Sequence, residues 1–246
     1  MSGSILSSWG WPAAASALSL VFAALVFAQW WTRRRPHQAA WAVGLLMFAA
    51  ASGMEAYSEF VRHWDPTVYR IYIVLAASLV GFLGLGTLYL MSHRRIWGHI
   101  YLALLLVMTA VFLYGAFTTP LITSALVPGI TVAGKPLGPS ASFPRVMSLP
   151  LSITGSLLLF GGAALSVYRF ARKREYAYRM WANVLIAAGT IAIASAGSMA
   201  RTGRTALLYP SELVGITLLF AGFVMAGTLD KGAREIRRRR REAATS

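Results

Sequence analysis

Cysteine is absent from all 246 residues, so disulfide staples, thiolate metal sites and cysteine nucleophiles are excluded. Charge is scarce: 13% of residues are Asp, Glu, Lys or Arg, against roughly 25% in an ordinary soluble domain. Acidic residues number only 8 and histidines 4, which leaves few ligands for a hard or borderline metal. No glycine-rich phosphate cradle follows a strand pattern, and no serine occupies a nucleophile-elbow sequence. What remains is 57% hydrophobic sequence, the composition of a membrane chain.

Seven apolar runs approach the ~20 residues that a bilayer core requires. They lie near 12–31, 39–60, 66–91, 100–119, 149–168, 181–200 and 211–229, and predict one all-α, seven-helix transmembrane bundle spanning residues 1–246. Helix-entry chemistry marks several starts. Asp65-Pro66 supplies a cap and a first-turn proline for the third helix. Pro150 is expected to open the fifth helix, and Ser211-Glu212 to cap the seventh.

The net charge of +15 resembles a nucleic-acid footprint only until the basic residues are placed. Connectors after the first, third and fifth runs, together with the C-terminal tail, hold 17 of the 23 lysines and arginines. The positive-inside rule then puts the N-terminus outside and the C-terminus in the cytoplasm of a cytoplasmic (inner) membrane, with no nucleic-acid partner. Met1 to Trp11 lacks the basic start of a secretory signal, so the first run is read as a retained helix. Tryptophans fit the same orientation: Trp9, Trp11 and Trp64 are expected at the outer interface, and Trp30, Trp31, Trp41, Trp97 and Trp181 at the inner one. The tail, Arg234 to Arg241, is a further topological anchor or a contact for anionic lipid.

The connector 120–147 is external and rich in Pro and Gly. Its segment Ile130 to Leu137 is expected to be an ordered surface loop, or else an extended pair or cap over the outer face. Two Gly-Phe and Gly-Thr-Leu pairs, at Gly81 and Gly86 and again at Gly222 and Gly227, suggest a duplication of three helices about a linking fourth. Retinal chemistry is excluded, because it needs a lysine midway along the seventh helix and Lys231 lies beyond that helix's end. The Pro-Gln pairs that mark sugar exporters of three-plus-one-plus-three design are missing too. Glycines recur in the third, fifth, sixth and seventh helices at spacings that let helix backbones approach closely in lipid.

One stretch breaks the apolar pattern. Ser52, Glu55, Glu59 and Arg62 follow one another at helical steps of three, four and three, so they share a face of the second helix. A carboxylate at membrane depth costs a few kcal/mol, about 3, unless it finds a partner, water or a proton. The expected partners of Glu55 are Arg70 or Arg201, each near the outer end of its helix. Glu55, Glu59, Arg70, Tyr72 and Arg201 thus form the candidate ligand-binding set around an outward-facing polar cavity. Asn183, Thr190 and Ser198 extend a polar stripe along the sixth helix.

Two functional readings follow: a small solute-binding carrier or permease, or a non-catalytic subunit or sensory module working through a membrane protein partner. A structural ion-pair network is the competing account of Glu55, and for Glu59, Arg62 and Glu212 contact with water or headgroups suffices. Glu212 in particular suits a helix N-terminus. His63 with Glu59 offers at most half of a metal site, and no catalytic residue or cofactor is indicated.

Overall fold

The computed structural model describes residues 9–128, 134–139, 141–171, 177–201 and 207–225, with the side chains of 169–171, 177–179 and 196–201 excepted. Among these residues the chain is all helical. It forms α1 (Gly10–Arg33), α2 (Pro36–Val61), α3 (Pro66–Met91), α4 (Arg95–Thr118), α5 (Phe143–Ala171), α6 (Ala177–Arg201) and α7 (Leu208–Met225). All but α6 are long and apolar enough to cross a membrane, and α6 contains a shorter apolar stretch, Met180–Ser195. The basic tail lies outside the described residues.

The outside of the bundle is apolar, as lipid contact requires. On α4 alone Ile100, Leu104, Val107, Val111 and Phe117 are exposed, and α1 adds Leu20, Val21, Leu25 and Phe27. A water-soluble monomer rarely carries such continuous apolar surface. Polar side chains turn inward instead: Ser19 donates to the Leu45 carbonyl at 2.9 Å and Ser16 to that of Ala49 at 2.7 Å, tying α1 to α2.

Small residues set the helix crossings. On α3, Gly84 meets Gly155 of α5 so closely that a Cβ there would stand 2.8 Å from the Gly155 backbone. The same contact recurs between α6 and α7, where a Cβ on Gly189 would lie 2.6 Å from the Gly215 carbonyl oxygen. Close backbone approach of this kind replaces the hydrophobic drive that is missing between helices in lipid. α3 packs against α2, α4 and α5 and is the most enclosed of the spans. Phe22 of α1 touches Phe220 and Phe223 of α7 at 5.2 and 4.9 Å, bringing the first and last helices together.

Asp65 caps α3 as its sequence predicts, accepting from the backbone N–H groups of Thr67 and Val68 at 2.8 and 3.0 Å ahead of Pro66. Two other starts differ from expectation. α5 begins at Phe143, which leaves Pro150 inside the helix. Pro144 takes the first turn, where a missing N–H leaves no bond unmade. α7 begins at Leu208, with Pro210 in its first turn, so Glu212 faces a neighbour rather than capping the end.

Trp64, in the connector between α2 and α3, is enclosed by protein instead of lying on the surface. Its ring is fully buried against Tyr69 and Tyr72, with centroids 5.8 and 4.9 Å away. Trp41 reaches inward too, and its indole N–H donates to the Leu83 carbonyl at 3.1 Å.

The connector between α4 and α5 carries two short helical turns, Thr123–Ala125 and Lys135–Leu137. The Ile122 N–H donates to the Pro136 carbonyl at 2.9 Å, and Leu126 and Leu137 are buried in the core. These residues anchor the described part in the bundle, while Ile122, Thr123, Ser124 and Val127 stay exposed on its surface. Residues 129–133 and 140 fall outside the described part.

Candidate functional site

α2 presents Ser52, Glu55 and Glu59 to the interior at 2%, 2% and 3% exposure, so three members of the predicted face are buried. The fourth, Arg62, ends the helix in a left-handed conformation (φ 58°) and is exposed. Ser58 is buried beside them. A helix can bury this much polarity only if neighbouring elements supply partners.

Those partners come from α3 and α7. The Tyr72 hydroxyl and the Glu212 carboxyl lie beside the Glu55 carboxyl, and all three residues line one cavity. The Tyr209 hydroxyl donates to Glu59 Oε1 at 2.9 Å across 150 residues of sequence. Two buried oxygens, Glu55 Oε2 and Glu212 Oε2, receive no N–H or O–H from the rest of the described protein. A hydrogen bond between two carboxyls exists only when one carries a proton, since two carboxylates are acceptors alone. The Glu55–Glu212 contact therefore needs a proton to close.

A cavity of about 620 Å³ adjoins this cluster. Its polar lining comes from Ser52 and Glu55 of α2, Tyr72 of α3, Arg145, Ser148, Ser152 and Ser156 of α5, Thr190 of α6 and Glu212 of α7. Phe112 of α4 and the connector residues Gly134 and Leu137 complete the wall with apolar side chains from α2, α3, α5, α6 and α7. A volume of this size suits a small organic molecule, and an apolar wall with a few converging polar groups is the usual make-up of such sites.

The structure brings together Glu55, Glu59 and Tyr72 of the expected set. Arg70 is elsewhere. Its guanidinium donates to the Ala116 carbonyl near the end of α4 and stacks 5.8 Å over the Phe117 ring. It ties the α3 entry to the α4 exit and does not meet Glu55. The Arg201 side chain lies outside the described residues, as does that of Ser198. Thr190 reaches the cavity wall while its hydroxyl donates to the Ile186 carbonyl at 2.9 Å within its own helix.

Several contributors were not in the expected set: Glu212, Tyr209, Arg145 and the serines at 148, 152 and 156. The guanidinium of Arg145, on the first turn of α5, donates to the Gly138 carbonyl at 2.9 Å and lines the same cavity. Serines 148, 152 and 156 recur at four-residue steps, a signal of one helical face that is visible in sequence. Glu59 and His63 do not converge as a metal half-site, since Glu59 is turned inward to Tyr209 and His63 is exposed.

No family model matches the chain, and comparisons with curated proteins and with solved structures return no match.

Proposed function

We propose that the chain crosses a bacterial-type cytoplasmic membrane seven times, N-terminus out, and works as a small solute-binding carrier or permease. The observation that carries this reading is the cavity of about 620 Å³ with a buried carboxyl cluster on its wall, inside a bundle whose outer surface is apolar. Polar groups held at membrane depth cost stability, and they mark solute or ion pathways where they face a cavity. The C-terminal end of α2 and the N-terminal ends of α3, α5 and α7 contribute this cluster and the adjoining cavity wall. With the basic connectors facing inward, that end of the bundle faces out. The pairing of α1 with α7 through Phe22 and of α3 with α5 through Gly84 supports the duplicated three-plus-one-plus-three plan, with α4 as the linker.

Native mass spectrometry of the protein gently extracted from its own membrane tests the proposal. A reproducible small molecule that is lost in a folded Glu55→Gln variant is the expected result. A stoichiometric protein partner with no small ligand would instead make the chain a subunit or sensory module.

A further inference from the structure

The carboxyls of Glu55 on α2 and Glu212 on α7 lie beside each other, and each leaves an Oε2 buried without a donor from any other described group. Both residues line the cavity, and Tyr72 adds its ring and hydroxyl beside them. We propose that Glu55 and Glu212 share a single proton and exchange it for a small organic ammonium ion that enters the cavity. This rests on the cavity being a solute site, and it names the class of solute and the coupling.

The chemistry is symmetrical between the two states. With the proton in place, the pair carries one negative charge and closes on itself. An ammonium ion held between the two carboxylates supplies the single positive charge that the proton supplied, so the site again carries one net negative charge and the shared proton leaves to water as the cation arrives. Tyr72 and Phe112 place aromatic rings on the wall of the same cavity, and quaternary ammonium groups favour aromatic surroundings. The cavity is large for a bare inorganic cation, and its wall of Phe48, Ile73, Phe112 and Ile153 suits the carbon substituents of an organic one.

The other ionisable groups near the pair come from α2, α3, α5 and α7. Glu59 of α2 acts on Glu55 through its charge and is engaged by Tyr209 of α7. α3 supplies Tyr72, and α5 supplies Arg145 on the same cavity. Among the described side chains of α4 and α6 lining the cavity, none is ionisable.

Infrared difference spectroscopy on the purified full chain in lipid tests the exchange, with tetramethylammonium as probe and sodium at equal ionic strength as comparison. In the wild-type protein tetramethylammonium is expected to remove a protonated-carboxyl band, with proton release in a lightly buffered sample, and sodium to leave both unchanged. The band should be absent from Glu55→Gln and Glu212→Gln variants that remain monodisperse. No band loss with tetramethylammonium, or equal loss with sodium, overturns the proposal in the wild-type protein alone, whether or not the variants fold. A solute found by mass spectrometry without proton release would refute the exchange and leave the carrier reading standing.

Discussion

Gly155 and Gly161 lie six residues apart on α5, and the same substitution at each should move stability in opposite directions. A Cβ on Gly155 would stand 2.3 Å from the Val80 carbonyl oxygen, 2.4 Å from its carbon and 2.6 Å from the Gly81 nitrogen. All three are backbone atoms of α3, so no rotamer change relieves the clash. Restoring ordinary contact requires α3 and α5 to separate by roughly 1 Å, which also loosens the contacts beside the crossing. Overpacking without a flexible neighbour falls at the upper end of the usual range, about 3 kcal/mol. Alanine recovers about 1 kcal/mol of helix propensity over glycine, leaving a net loss of about 2 kcal/mol. At Gly161 nothing lies within 4 Å of the added Cβ, so only the propensity gain of about 1 kcal/mol remains. Thermal unfolding in detergent should therefore rank Gly161→Ala above wild type and Gly155→Ala well below it. Two variants melting together would refute the account of α3 and α5 as a backbone-to-backbone crossing, and Gly84→Ala, across the same contact, should side with Gly155→Ala.

Three further outcomes follow from particular contacts. Arg70→Gln removes the guanidinium from the Ala116 carbonyl and should lower the melting temperature while leaving occupancy of the cavity unchanged, as native mass spectrometry would read. Loss of bound solute in that variant would place Arg70 back among the ligand contacts. Tyr209→Phe strips Glu59 of its donor in a buried setting, a loss of about 1–3 kcal/mol in a denaturant titration. A silent substitution would mean that Glu59 is not held by this bond. Asp65→Ala deletes both N-cap bonds of α3 and should cost about 1 kcal/mol by the same titration, whereas Asp65→Asn should cost much less.

Much of the architecture was legible in the chain because its information is local. An apolar run of span length is helical in lipid whatever surrounds it, since every backbone group must find its partner within the segment. The cap at Asp65, the inward face of Ser52, Glu55 and Glu59, and the glycine-mediated crossings depend on spacing along one helix or on side-chain size, and both can be read residue by residue. The starts of α5 and α7 differ from the sequence expectation for an equally local reason. Pro150 and Ser211 imitate helix entries, but Pro144 and Pro210 sit in first turns where proline is free of penalty, so each helix begins earlier.

Tertiary structure alone decided which groups meet. The face of α2 fixes that Glu55 points inward, and it leaves open which non-neighbouring helix it points at. That choice depends on how α7 is rotated and how deep it sits, set by close contacts such as Gly189 against Gly215 and Phe22 against Phe223. These contacts belong to no single segment. The same packing turned Glu212 from an expected helix-end charge into the counterpart of Glu55, and left Arg70 at the end of α4. Sequence determined that a buried carboxyl needed a partner. The packing of α2 against α7 determined that the partner is another carboxyl, because register between distant helices is a property of the whole bundle.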